Sequence, residues 1–250
     1  MMRRLFVTVF MFLMVGSSLG QDNSIFAQAK LADKKLKTEE SLKLYQQYLI
    51  GDSTNIEVLV RCAELTLYLG NAQAKEDDKQ PFYNTAFNFA HSAYNIDSLI
   101  APSNYIMGLV LSALMNSRPI KEKLVGTKDI WNFANKAVQI NPNDPKSLHL
   151  LGKWHDELSS LNPAAKAGLK IFGKDIPKAS LTDAIDLYEK ARTFDPALIV
   201  NNVDLAIAYK KIGRADLSIS ILNTTIKLVP TSIEEQWYKN KAKELLESMK

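Results

Sequence analysis

Few side chains in this 250-residue chain have the types and spacings that catalysis or metal binding requires. The richest stretch, Trp154–Glu157, combines a tryptophan, a histidine and two carboxylates. Zinc-binding histidines on one helix lie at positions i and i+4, whereas His149 and His155 are six residues apart. Paired cysteines and a glycine-rich phosphate loop are also absent from the sequence. We therefore expect no metal, no cofactor and no catalytic residues, and a protein that is not an enzyme.

The single cysteine, Cys62, cannot form an internal disulfide, so packing alone must stabilise the fold. Its position before Ala63 in an apolar helical segment predicts a buried, unreactive thiol. Apolar residues make up 46% of the chain, which is enough for a sizeable core, and the formal net charge is +4. Arg3 and Arg4 contribute two of these charges, and the others are mixed along the chain, which argues against a nucleic-acid partner.

The elements that position these residues are predicted to be helices. Val203–Pro230 reads as two short helices joined at Gly213, with Pro230 where the second helix ends. The order of a leucine, a small residue, an aromatic residue, a turn glycine, small residues and a closing proline resembles one tetratricopeptide repeat (TPR) unit. Almost no strand-like alternation occurs elsewhere. We therefore predict an all-α, TPR-like helical-repeat solenoid.

Three earlier segments align with this unit. Ala63, Gly108 and Gly152 take the place of Ala206, at points where the two helices of a unit are expected to touch. The successive spacings are 45, 44 and 54 residues, longer than the ~34 of a plain repeat. The extra residues are expected between the two helices of each unit. An N-terminal helix pair, roughly Asn23–Leu36 and Thr38–Ile50, is expected to cap the stack.

The extra residues fall into two kinds. Asn71–Gln80 and Asn116–Lys128 are polar and are predicted to be solvated loops. Leu161–Ala179 instead repeats apolar residues at helical spacing, which predicts an extra amphipathic helix inserted in the third unit. This helix either docks on the third unit beside Trp154 or faces a membrane with the same apolar stripe, formed by Leu161, Leu169 and Phe172.

A concave groove is the predicted binding surface, because the first helices of TPR units line it. The residues beside the packing positions should face the groove: Val60 and Glu64, Tyr105 and Leu109, His149 and Lys153, and Val203 and Ile207. An open groove of this composition suits an amphipathic helix or an acyl chain. The alternative is that a C-terminal helix over Ser232–Met249 covers it.

Residues 1–20 have the organisation of an export signal. Arg3 and Arg4 precede the eleven-residue apolar run Leu5–Val15, and the small residues Ser18 and Gly20 follow it. The run is shorter than the ~20 residues needed to span a bilayer. We expect a signal peptide over 1–20, a repeat domain over 21–250, and a periplasmic or secreted protein. A retained signal anchor is the alternative.

One segment of the third unit carries a family resemblance. Leu151–His155, Phe172-Gly173, Pro177 and the run from Ala184 to Ala191 resemble the regulator of microtubule dynamics family. The resemblance implies a TPR-like fold with an inserted helix. Its known members are eukaryotic proteins associated with microtubules, mitochondria and membrane contact sites, and one binds and transfers phospholipids. An export signal would separate this chain from microtubules, so we expect an exported, bacterial relative.

Two functions follow as expectations. The first is an exported scaffold that binds another protein or peptide through the concave groove, without nucleic acid. The alternative is a lipid-binding or lipid-transfer protein acting at a membrane surface, with a phospholipid as its ligand.

We predict that the signal is cleaved near Gly20. N-terminal sequencing of protein made in its native host should begin at Gln21 or a nearby residue. Recovery of an intact Met1 in the membrane fraction would show a retained anchor instead.

Overall fold

The computed structural model describes residues 24–116, 118–172 and 176–249 of the chain. The leader predicted over 1–20 and Gly173 lie outside these residues, as does the side chain of Phe172. The described chain is helical, without strands, and we number its helices in order. They are α1 (24–34), α2 (Thr38–Gly51), α3 (Ile56–Asn71), α4 (Glu76–Ile96), α5 (Ala101–Asn116), α6 (Ile120–Ile140), α7 (Pro145–Ser159), α8 (Pro163–Phe172), α9 (Leu181–Phe194), α10 (Ile199–Lys211), α11 (Ala215–Thr225) and α12 (Ile233–Glu247).

Successive helix pairs form the stack. The helices α3 and α4, α5 and α6, α7 and α9, and α10 and α11 pack as units, and each unit contacts the next. The pair α1 and α2 packs at the N-terminal end, and α12 packs on α10 and α11 at the other end. The prediction of an all-α helical-repeat solenoid is confirmed.

The same turn connects one helix pair to the next at four places. An Asp or Asn ends the preceding helix, and its side-chain oxygen accepts the backbone N–H two residues later, which is an Asx turn. The donor–acceptor distances are 3.1 Å for Thr54 to Asp52, 2.8 Å for Leu99 to Asp97, 3.2 Å for Asn143 to Asn141 and 2.9 Å for Ala197 to Asp195. Each first helix therefore leaves its predecessor with the same local geometry.

The predicted contact points within units are as tight as expected. A Cβ atom on Gly152 would lie 2.8 Å from two ring carbons of Tyr188, and one on Gly108 would lie 3.3 Å from the Cβ atom of Phe133 on α6. Ala206 is fully buried. Cys62 is also fully buried, and burial raises the pKa of its thiol to about 12, as expected of a structural cysteine.

The two predicted loops are wrong. The helices α4 and α6 begin at Glu76 and Ile120 and run for 21 residues each, so most of Asn71–Gln80 and Asn116–Lys128 is helical. Acidic residues in the first turn of α4 suit the positive end of its dipole, and the polar side chains simply face solvent. The extra residues of these units therefore lengthen the second helix.

The predicted inserted helix is present as α8 and docks on the stack. Leu161 and Leu169 pack against a cluster around Trp154, whose indole N–H donates to the Thr127 carbonyl at 2.9 Å. Lys166 and Lys170 are exposed. The described part of the apolar stripe thus faces the protein.

We predict that Gly152→Ala lowers the unfolding free energy by ~1–3 kcal/mol, because the new methyl group would clash with the buried Tyr188 ring. Thermal or urea denaturation measures the change. Gly126→Ala is the matched control, since its methyl group would meet only the movable end of Met115. Equal effects at both positions would contradict the proposed helix contact.

Candidate ligand-binding groove

An outer cavity of about 770 Å³ lies against the first helices of the stack. The helices α3, α5 and α7 form its floor, and α1 forms one wall. Its rim carries the exposed side chains of Lys30, Lys34 and Lys146, together with that of Glu57. The floor is mostly apolar, with Ile56, Val60, Ile100, Ala101 and Tyr105.

A network of charges lies beneath this cavity. Arg61 donates to both carboxylate oxygens of Asp33 and to Glu64, each at 2.7 Å, and Lys146 donates to the other oxygen of Glu64 at 2.7 Å. Only 2% of the Glu64 side chain is exposed. Burial alone would raise the pKa of Glu64, but the charges of Lys146 and Arg61 outweigh it and lower the pKa to about 2. These ion pairs fix the positions of both cations.

An inner cavity of about 200 Å³ adjoins the outer one, under the start of α12. Four of the eight predicted groove residues line it: Tyr105 and Leu109 from α5, and His149 and Lys153 from α7. Tyr68, Glu234 and Tyr238 complete its walls. Val60 and Glu64 of α3, which were also predicted, line the outer cavity. Lys153 also borders a third cavity of about 400 Å³ on the other side of Glu234.

The other two predicted groove residues lie elsewhere. Val203 is fully buried in the core formed by α9 to α12, so its side chain does not face the groove, contrary to the prediction. Ile207 packs against the same core and is partly buried. The helix α12 covers this part of α10, and the inner face of α10 presents Asp204, which is hydrogen-bonded to His149 at 3.0 Å. Whether any predicted residue binds a ligand stays a prediction.

The C-terminal helix covers part of the groove. The Ser232 hydroxyl accepts the Glu235 N–H at 3.0 Å and caps α12. The Glu235 carboxylate accepts the backbone N–H of Ile199 at 3.2 Å and that of Thr231 at 2.7 Å, which holds the helix start near α10. Thr231, Ser232, Glu234, Glu235 and Tyr238 of this segment border the inner cavity, whereas Thr231 also borders the outer one.

Sequence reasoning missed several groove residues. Arg61 was not predicted at the groove, although it lies three residues before Glu64 on the same helix face, a spacing that favours their ion pair. Lys146 lies 82 residues from Glu64, so no local pattern predicts that contact. Glu234 was not predicted as a groove residue, because only the docking of α12 brings it to the groove.

The pKa of the Glu234 carboxyl group is shifted in the opposite direction to that of Glu64. Burial raises the pKa of Glu234 from 4.5 to about 7, and the charges of Glu64 and Asp204 act in the same direction. Lys153 and Tyr68 oppose this shift by favouring the charged form. This carboxyl group therefore takes up a proton near neutral pH.

Metal sites and membrane spans each require a recognisable geometry. Within residues 24–116, 118–172 and 176–249, no group of three or more His, Cys, Asp or Glu side chains could hold a metal ion. No helix within the same ranges is long and apolar enough to cross a bilayer.

We predict that Glu234 makes the protein less stable as pH rises. Its folded pKa is above its unfolded value, so the native state holds a proton between pH 4.5 and about 7 that the unfolded state releases. Glu234→Gln should therefore raise the unfolding free energy at pH 8 by roughly 3 kcal/mol. The difference from the unmodified protein should shrink toward pH 5. Denaturation from pH 5 to 8 measures it.

Glu244→Gln is the control, because this exposed residue lies on the same helix away from the groove. If the difference in unfolding free energy between Glu234→Gln and the unmodified protein did not change with pH, the raised pKa of Glu234 would be contradicted.

Comparison with known proteins identifies the family. A thermophilic TPR protein of Thermus thermophilus has a similar solved structure, with a TM-score of 0.65 and 14% identity, over 88% of this chain and 98% of that one. Regulator of microtubule dynamics protein 1 of Mus musculus is 23% identical over 180 residues, 72% of this chain. The Bos taurus protein of the same name is 24% identical over 209 residues, 82% of this chain.

The chain spans 58% and 65% of the length of these two relatives. The sequence model described as regulator of microtubule dynamics protein 1-3 matches residues 25–250, which is nearly the whole of the described chain. This chain is therefore a member of the regulator of microtubule dynamics protein 1-3 family.

Proposed function

We propose that this protein is a non-enzymatic scaffold that binds another protein through its concave groove. The observation that carries the proposal is the outer cavity of about 770 Å³, which the first helices of three units line together. A cavity of this kind, with an apolar floor and a few charged rim groups, accepts apolar side chains and orients them by charge. Peptide recognition by an apolar groove commonly uses an amphipathic segment.

The charges of the rim support a partner with acidic residues. Lys30 is paired with Glu57 at 2.9 Å, and Lys146 is paired with the buried Glu64. Lys34 adds a further exposed lysine, so the solvent-facing rim is basic on balance. Such a rim increases the association rate of an acidic segment and discriminates against a basic one.

The proposed setting is outside the cytoplasm, and it rests on the basic start and apolar run of residues 1–20. The proposal of a partner does not depend on it, since the groove is formed entirely by residues that follow the leader.

The alternative function, lipid binding, is favoured by the apolar floor of the outer cavity. Native mass measurement of protein purified without detergent tests it directly. Retained phospholipid would favour the lipid carrier, and an apo mass would favour the scaffold.

Site-specific photo-crosslinking in the native host tests the scaffold function. A photoreactive residue at Pro102 or Lys34, both exposed at the outer cavity, should give the same discrete protein adduct. The same residue at Lys136 on α6 or Ser220 on α11, both exposed and outside the cavity, is the control. Identical adducts from all four positions, or none from the groove positions, would contradict the proposal.

A further inference from the structure

The third cavity, of about 400 Å³, lies between the end of α3 and the first half of α12. Tyr68 and Asn71 of α3 line it, together with Trp237 and Tyr238 of α12. Lys153 of α7 also borders it, and none of the described residues that line it also lines the outer cavity. Cavities of ~300–1,000 Å³ with apolar walls and a few polar groups are typical of small-molecule sites. The size and composition of the third cavity therefore suit a small molecule.

Three aromatic rings line this cavity. Tyr68 is 9% exposed, and Tyr238 packs against the core formed by α9 to α12, so both rings are held in place by the fold. The rings of Trp237 and Tyr238 have centroids 5.0 Å apart and an angle of 79° between their planes. Two rings at nearly a right angle form a corner, where a further ring stacks on one and meets the other edge to face. The walls therefore favour a planar aromatic ligand.

The apolar side chains at the cavity are unusually exposed. Trp237 is 59% and Ile233 is 40% exposed, although both line the cavity. Ala242 and Leu246, farther along the same helix, are buried and anchor α12. Neighbouring exposed apolar side chains around a cavity are typical of a binding site, because they contribute little burial to the free protein.

The charged groups around the cavity disfavour ligands of either charge. Burial and the carboxylates of Glu64 and Asp204 raise the pKa of Glu234 to about 7, so a negative charge is costly at this place. A cationic ligand would meet the Lys153 ammonium at the cavity and the Lys241 ammonium, which lies 5.3 Å from the centroid of the Trp237 ring. An uncharged ligand avoids both costs.

Two polar groups of the cavity are hydrogen-bond donors. The Lys153 ammonium carries N–H donors and no acceptor. The Tyr83 hydroxyl donates to the side-chain oxygen of Asn71 at 2.7 Å, which orients the Asn71 amide and leaves its N–H groups for a ligand. A ligand that carries a hydrogen-bond acceptor, such as a carbonyl oxygen, therefore matches these groups.

We propose that the third cavity binds an uncharged, planar aromatic small molecule with fused rings and a hydrogen-bond acceptor. A cavity of ~150 Å³ holds one benzene ring, so the larger volume here accommodates a fused ring system. A tryptophan side chain of a partner has suitable rings but offers only a donor, so it fits less well. The site goes beyond the proposed scaffold function and does not depend on it, because the two cavities have different linings.

The test titrates coumarin, an uncharged bicyclic molecule with a carbonyl acceptor, into the isotope-labelled full-length protein. The three tryptophans of the chain provide separate indole N–H signals in NMR spectra. The Trp237 signal should move and reach saturation. The signals of Trp131 and Trp154, which lie together near α8 with ring centroids 6.4 Å apart, should not move.

Trp237→Ala removes one aromatic wall and should weaken coumarin binding about tenfold in isothermal titration calorimetry. Trp237→Phe keeps a ring and should lose less. Ile212→Ala is the matched control, because it truncates an apolar side chain that is 50% exposed and lies outside the cavity. Its affinity should equal that of the unmodified protein. Thermal denaturation should show that all three variants stay folded, since both side chains are largely exposed.

Two further probes test the chemistry of the ligand. Indole, which offers only a donor, and coumarin-3-carboxylate, which is anionic, should both bind more weakly than coumarin. Equal or tighter binding of either probe would contradict the acceptor or the charge that we propose. An unmoved Trp237 signal would overturn the site, and so would equal coumarin affinities of the unmodified protein and Trp237→Ala. Movement of the Trp131 and Trp154 signals alone would place the probe elsewhere and overturn the site as well.

Discussion

The close approach of two helices within each unit is the constraint on which the rest of the structure depends. Gly152 packs against the ring of Tyr188 on α9, and Gly108 packs against Phe133 and the backbone of Ala134 on α6, with little room for a larger side chain. Because the paired helices touch at these points, their neighbours stack at a fixed distance and the first helices line one curved surface. The small residues at the helix contacts therefore determine the shape of the groove, although they do not line it.

The outer and inner parts of the groove differ in their charged groups. Its outer part has an apolar floor above ion pairs that hold Arg61 and Lys146 in place, whereas its inner part lies under the first turn of α12. A carboxylate close to Glu64 and Asp204 is costly to keep ionised, as the raised pKa of Glu234 shows. The unfavourable charges lie where the start of α12 packs on the stack.

The repeat register could be predicted from the sequence because Gly108, Gly152 and Ala206 sit at helix contacts whose spacing repeats. The lengths of α4 and α6 could not be predicted, because a polar stretch such as Asn71–Gln80 is compatible with a solvated loop and with a solvent-facing helix equally well. On α7, the offset from Gly152 placed His149 and Lys153 at the groove. The same offset failed for Val203, because α12 covers that face of α10, and long-range packing is not encoded in local periodicity.

The bridge from Lys146 to Glu64 has a mechanical consequence. It joins α7 to α3 past the intervening α5, on the side of the stack where the outer cavity lies. Bending the stack away from this side would lengthen the bridge, so the bridge opposes that movement. Bending the stack toward this side would shorten the distance between α3 and α7, and the bridge opposes that movement little. The repeat domain should therefore be elastically asymmetric, stiff against loads that flatten it and compliant toward a guest that draws its walls inward.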